Sequence, residues 1–149
     1  IDDVLQGAAL PEGVIVVWGA GAGIELALDL AQQGRKVRLL DPADQLRPAA
    51  YIGSRLGWVM RWAGQAGLTC EARVELVSAA AGAVTVRQDS AEQVISCAAL
   101  VIAPGRAPHD PLSAALAGSG ITVQVIGDAR QVRGYGNAIH EAAYLARRL

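Results

Sequence analysis

Val14-Ile-Val-Val-Trp-Gly-Ala-Gly-Ala-Gly-Ile-Glu25 decides the fold: an unbroken apolar run ends in three closely spaced glycines and opens an amphipathic helix. A parallel strand buried on both faces wants a continuous run of β-branched residues. The turn after it must let a backbone approach an anion, and the amide groups at the helix start then face that anion. The stretch therefore reads as the first strand, phosphate-binding turn and first helix of a dinucleotide-binding fold.

Downstream, Ile24, Ala27, Leu28 and Ala31 repeat at helical spacing, with Glu25, Asp29, Gln32 and Gln33 on the other side. Gly34 is placed to end this helix, and Lys36-Val-Arg-Leu-Leu-Asp41 follows as a second strand. Asp41 closes the β-α-β unit roughly twenty residues after the glycines, where a carboxylate can accept from adenosine ribose hydroxyls and would repel a 2′-phosphate. Asp41-Pro42 is also ordinary turn chemistry, so the acid has a local reading beside the ribose one.

The glycines are imperfect. Gly19 and Gly21 supply G-x-G, but Ile24 stands where the third glycine belongs; counted back from Gly23, the first two places fall on Trp18 and Ala20. Either the turn is one residue short or two glycines are replaced.

Ile52, Leu56, Val59, Met60 and Ala63 make the stripe of a second helix that Gly64 and Gly67 end, with Trp58 and Trp62 one turn apart on a neighbouring face, where such a pair is more often packing than a base-stacking or interface site. Leu68-Thr-Cys70, Val74-Glu-Leu-Val77 and Val84-Thr-Val-Arg87 read as a small antiparallel meander, and Gln88 to Gln93 as a polar connection. Ala98-Ala-Leu-Val-Ile-Ala103 returns the chain to the central sheet before the turn-rich Pro104-Gly-Arg-Ala-Pro108. Ile121-Thr-Val-Gln-Val-Ile-Gly-Asp128 reads as a last strand ending in a carboxylate, and Asn137 as the cap of a final helix striped by Ala138, Ala142, Leu145 and Leu149. The expectation is a Rossmann-like three-layer α/β fold with a central parallel sheet and the meander inserted before its fourth strand. Residues 1-13 connect, 14-120 form the nucleotide module and 121-149 a terminal strand and helix.

With 149 residues the chain is one domain's worth and short for a two-domain redox enzyme. Its charged fraction of 18% and net charge of −1 offer no basic nucleic-acid surface. Cys70 and Cys97 are far apart, so neither a disulfide framework nor a metal or cluster site is expected, and the apolar runs are strand-sized, so a reducing cytoplasm fits. A start at Ile1, almost directly in register with the fold, points to a piece of a longer polypeptide. GxSxG and HExxH are missing, and His109 and His140 stand in unlike settings as surface residues, so the chain reads as a binder and not as a complete catalyst.

Several segments taken together carry a resemblance. Gly19-Ala-Gly-Ala-Gly-Ile-Glu-Leu-Ala27, the acid-ended second strand, Trp62-Ala-Gly-Gln-Ala-Gly67, Leu100-Val-Ile-Ala-Pro-Gly-Arg106, Val125-Ile-Gly-Asp-Ala-Arg130 and Asn137-Ala-Ile-His-Glu-Ala142 resemble the C-terminal nucleotide-binding region of one flavoenzyme family. That family includes 2,4-dienoyl-CoA reductase and the trimethylamine and histamine dehydrogenases, fusions of old-yellow-enzyme type. The likeness runs over nearly the whole chain, and Gly-Asp-Ala-Arg with Ala-Ile-His-Glu is its most specific part.

The resemblance implies an oxidoreductase whose full chain adds an FMN barrel, an iron–sulfur cluster and the rest of an FAD module. In reductase members NAD(P)H reduces FAD; in the amine dehydrogenases the corresponding module holds ADP and electrons leave to a carrier protein. It implies Gly19, Ala20, Gly21, Gly23, Asp41, Gly105 and Arg106 at NAD(H) or ADP, and Gly127, Asp128, Ala138 and Ile139 at FAD shared with the rest of the protein. Trp18, Ala20 and Pro104 replace Gly, Gly and Thr of the reductases, which tilts the reading toward the ADP-holding branch. The implied partners are the remaining modules of the parent flavoenzyme or a partner subunit, and an electron carrier. A different reading is a non-catalytic adenine-nucleotide or structural module that stabilises its parent and docks a partner.

Overall fold

The structure, a computed structural model, describes residues 1–44, 46 and 54–148, which divide into two compact units, Ile1–Gly105 and Arg106–Leu149. In the first unit a one-turn helix α1 (Asp2–Leu5) precedes β1 (Val14–Trp18), α2 (Gly23–Gln32), β2 (Lys36–Leu40), α3 (Ser54–Gln65) and β3 (Thr69–Glu71). Then come β4 (Glu75–Ala80), β5 (Ala83–Gln88), β6 (Ala91–Ser96) and β7 (Ala99–Ile102). β1, β2, β3 and β7 form a parallel sheet in the order β3-β2-β1-β7, and β4-β5-β6 form a separate antiparallel sheet. The meander thus enters before the fourth strand of an α/β parallel sheet, as the sequence predicts.

The period-2 alternation of β1 builds three layers. Ile15 and Val17 join Ile24, Ala27 and Leu28 of α2 and Val59 and Ala63 of α3 in one core. Val16 points the other way, with Leu40, into a second core made by Val74, Val84, Val86 and Ile95 under the meander. The β1 run is continuously apolar because both of its faces are covered. Cys70 and Cys97 are half-buried, one against each core.

Both long helices of this unit stop at an expected glycine, Gly34 and Gly67, whereas Gly64 lies inside α3 and does not end it. Gly34 has φ +81°, its N–H donates to Ala31, and the Arg35 N–H reaches Leu30 (2.9 and 3.0 Å). Gly67 has φ +69°, with Gly67 N–H to Gly64 and Leu68 N–H to Ala63 (3.2 and 2.9 Å). In each case the glycine adopts the left-handed conformation that lets its own N–H and the next one satisfy the last carbonyls. Ile52 lies outside the described residues, as does the side chain of Leu56. Trp58 and Trp62 do not pack inward: each is about half exposed, and the Arg61 guanidinium lies 5.0 Å from the Trp58 ring.

Four further expectations need correction. Leu68-Thr-Cys70 is not a meander strand: β3 runs parallel beside β2, pairing Arg38 with Thr69 and Leu40 with Glu71. Three residues are too short to show alternation, and buried Leu68 draws the segment into the helix-side core. The third meander strand is instead β6, which takes up the second half of the supposed polar connection, Ala91 to Gln93. Its hairpin turn, Asp89-Ser90, takes positive φ at both residues (47° and 68°), the handedness that matches strand twist. Because one face of β6 is solvated, it looks polar in sequence.

The other two corrections fall in the second unit, which holds α4 (Pro111–Ala115), a 3-10 turn (Gly127–Ala129) and α5 (Tyr135–Ala146). Residues 121–126 form no ladder, since the unit's described residues contain no other strand to pair with. Gly134, not Asn137, is the N-cap of α5; the Asn137 amide donates to the Arg133 carbonyl (3.0 Å). Asp110 caps α4 by accepting from the Ser113 N–H (3.1 Å). Among the described residues no helix is long and apolar enough to cross a membrane.

Candidate functional site at the glycine turn

β2 and β7 flank β1, so the chain leaves β1 toward one neighbour and returns on the other. In open parallel sheets this reversal opens a crevice beyond the carboxyl ends of the strands, where ligands bind. Gly19 sits at that point. Its N–H continues the ladder to Leu40 (2.7 Å), and the Ala103 N–H continues the other ladder to Trp18 (2.7 Å). Gly19 then turns at φ +108°, and a Cβ built on it would lie 2.2 Å from the Ala103 oxygen and 2.6 Å from the Pro104 nitrogen. Only glycine fits there.

The other glycines divide the remaining tasks. A Cβ on Gly23 would press Val17 and Ala103, each at 3.0 Å, so Gly23 lets the first turn of α2 lie close on the strand. At Gly21 a Cβ would meet nothing nearer than the Ala103 oxygen at 3.8 Å and the Gly105 Cα at 4.0 Å. Gly105 has φ +125° and open space beside it. Gly21 and Gly105 thus border the same free volume, directly before α2, whose N-cap Ala22 provides no side-chain cap. Uncapped N–H groups beside an open backbone surface suit the oxygens of a diphosphate. Trp18 does not intrude from the helix side: its indole belongs to the meander-side core and its Nε1–H donates to the Val74 carbonyl (3.2 Å).

Ala20 is buried, and its N–H donates to Asp41 Oδ2; Asp41 Oδ1 accepts from the Ala43 N–H (2.8 Å). Asp41 therefore makes the local turn bond that Asp-Pro suggests and also reaches the glycine turn. Gly19, Ala20, Gly21, Gly23, Asp41 and Gly105 all lie at the carboxyl edge of the parallel sheet.

Arg106, Gly127, Asp128, Ala138 and Ile139 belong to the second unit. There Gly127 (φ +62°) lies against α5: a Cβ on it would be 3.0 Å from the Ala138 Cβ. The exposed Asp128 accepts through Oδ1 from the N–H groups of Arg133 and Gly134 (3.0 and 3.1 Å), at the entrance to α5. Ile139 is exposed. Sequence reasoning assigned no role to Glu141, which accepts from the Gly127 N–H (2.7 Å) and pairs with Arg133 and, at 3.5 Å, with Arg130. Its only sequence signal is its place in Ala-Ile-His-Glu. His140 is exposed on α5 beside a shallow groove of about 410 Å³ that also borders Tyr144 and Arg147.

The Gly127 N–H, then Arg133, hold the Glu141 carboxyl below the usual range; the Arg133 and Gly134 N–H groups do the same for Asp128. Both folded values are depressed, so their stabilisation is full above the unfolded values and is lost as pH falls through the folded ones. The Gly127–α5 junction is therefore expected to loosen below about pH 4. The Gly127 amide resonance should move sharply as acid protonates Glu141; an amide that stays unchanged through acid titration until the unit unfolds would contradict this reading.

No protein-family model matches the sequence and no curated protein does either. Solved structures do. Histamine dehydrogenase from Rhizobium sp. 4-9 superposes with a TM-score of 0.78 at 21% identity, over 99% of this chain and 25% of that one. The 2-naphthoyl-CoA reductase complexed with 2-naphthoyl-CoA gives 0.77 at 25% identity, over 93% of this chain and 21% of that one. The chain has their fold. A HOCl-induced flavoprotein disulfide reductase, RclA from Escherichia coli, is similar at 0.63 and 21% identity, over 97% of this chain and 38% of that one. All three are oxidoreductases by name, and the resemblance to the histamine dehydrogenase group read from the sequence holds in three dimensions. This is a domain of a kind that oxidoreductases carry, and it spans about a quarter of the length of histamine dehydrogenase.

Proposed function

We propose that the chain is the nucleotide-binding domain, for ADP or NAD(H), of a flavin and iron–sulfur oxidoreductase. It passes or supports electron transfer between a nicotinamide cofactor and flavin. The observation that carries this reading is the meeting of Gly19, Gly21 and residues 103–105 at the reversal point of the sheet, in front of an uncapped helix. On this reading the N–H groups at the start of α2 hold the diphosphate, Gly105 borders it, and Asp41 lies toward the adenosine ribose. Bound NAD(H) supplies the hydride; ADP supplies none. Residues 14–120 form this module, and residues 121–149 return to an FAD module through Gly127, Asp128, Ala138 and Ile139. The flavin part is supported by the likeness to a flavoprotein disulfide reductase. The partners are the remaining modules of the parent enzyme and an electron carrier.

Calorimetric titration of the chain with ADP, NADH and NADPH tests the proposal. Binding of ADP or NADH, with NADPH weaker by at least roughly tenfold, is expected, because a carboxylate beside the ribose repels a 2′-phosphate. Binding of ADP with none of NADH points to a non-catalytic module that stabilises its parent, and binding of none of the three overturns the nucleotide reading.

A further inference from the structure

Asp41 is the single buried charged residue among those described, at 8% exposure. A carboxylate removed from water must be met by hydrogen bonds or it destabilises the fold. Asp41 is met on both oxygens, from two different turns: Ala20 N–H at Oδ2 and Ala43 N–H at Oδ1. The sequence explains the second contact, since Pro42 has no N–H and Ala43 is the first downstream donor. The Asp41 backbone is fixed as well, its N–H donating to the Glu71 carbonyl and its own carbonyl accepting from Val74 (both 2.9 Å). A side chain anchored in this way on the end of β2 ties the glycine turn to that strand through Ala20.

We infer that Asp41 is a positioning residue, a latch that holds the glycine turn to the end of β2 and so selects which backbone N–H groups face the phosphates. The Ala20 N–H is turned inward and withdrawn from the anion, leaving those from Gly21 onward. Asp41 then acts on a nucleotide chiefly through the turn, and the ribose shares a carboxylate that is already bonded. This deepens the reading of the same turn as a nucleotide site and rests on that reading for its ligand.

Two measurements on the full chain test it. In the ligand-free wild type, a scalar coupling through the hydrogen bond between the Ala20 nitrogen and the Asp41 carboxylate carbon is expected by NMR; its absence overturns the latch without any variant. In Asp41→Asn, whose amide keeps one acceptor and sets an N–H group against the other turn, affinities for ADP, 2′-deoxy-ADP and inorganic pyrophosphate are expected to fall together, each by roughly tenfold. A loss confined to ADP, with pyrophosphate unaffected, makes Asp41 a direct ribose ligand and overturns the inference. If the wild type binds none of the three, the nucleotide reading fails, and the Ala20 coupling alone then decides the latch.

Discussion

Gly19→Val is expected to destabilise the first unit by about 3–5 kcal/mol, read as a lowered urea midpoint. The cost has two sources. The residue sits at φ +108°, a conformation that branched side chains rarely adopt, and its Cβ would lie 2.2 Å from the Ala103 oxygen and 2.4 Å from the Ala103 carbon. Those are backbone atoms of the segment that follows β7, paired to β1 by the Ala103 N–H, so they cannot swing aside as a long side chain could. Gly21→Ala is the control. It keeps the same loop and an ordinary φ, with no neighbour closer than 3.8 Å, so its stability should stay within about 1 kcal/mol of wild type while it narrows the space left for a phosphate. Equal losses in the two variants would contradict the division of labour among the glycines.

Leu39→Ala carries the second large expected effect, about 2–5 kcal/mol, because it deletes a fully buried side chain from the core shared by the sheet, α2 and α3. Leu39 also underlies the site: its Cδ1 lies 3.9 Å from where a Cβ on Gly23 would stand, at the first turn of α2. The cavity should therefore loosen the helix start as well as the core, and amide exchange at Leu26 and Ala27, the first N–H groups of α2 placed to bond within the helix, should quicken more than global destabilisation alone requires. Val94→Ala, on the solvated face of β6, should cost within about 0.5 kcal/mol. A midpoint for Leu39→Ala that matches Val94→Ala would show that the layer assignment is wrong.

Much of this architecture is legible in the residue pattern, for identifiable physical reasons. The continuous run of β1 and the periodicity of α2 each satisfy one template, and Gly34 and Gly67 terminate helices through a backbone conformation that few other residues reach. Short elements were harder. β3 has three residues and shows no period, so its parallel place beside β2 rests on pairing that only the folded chain reveals. β6 is polar on one face, which reads as a loop until Asp89 and Ser90 are seen to turn the chain. Residues 121–126 show the opposite failure, an apolar alternating run without a partner strand in its own unit.

The site divides in the same way. Gly19, Gly21, Gly23 and Asp41 follow from their spacing after β1, and the structure brings them to one edge of the sheet. The choice between a shortened turn and replaced glycines could not be made from spacing alone; steric crowding at Gly19 and Gly23 and openness at Gly21 assign the tasks. The bond between Asp41 and Ala20 joins residues on two turns, and Glu141 reaches Gly127 from the other end of a helix-entry loop. Contacts of this kind leave no periodic trace.

The central claim is that the glycine turn and the segment after β7 form one nucleotide site. Its most direct test is a titration of isotope-labelled chain with ADP, followed residue by residue by NMR. The account predicts that the largest amide shifts fall on Gly21, Ala22 and Gly23 and on Gly105, with the buried Ile15, Val16 and Val17 little changed. Shifts gathered on α5 around His140 and Tyr144, or none at saturating ADP, would contradict it.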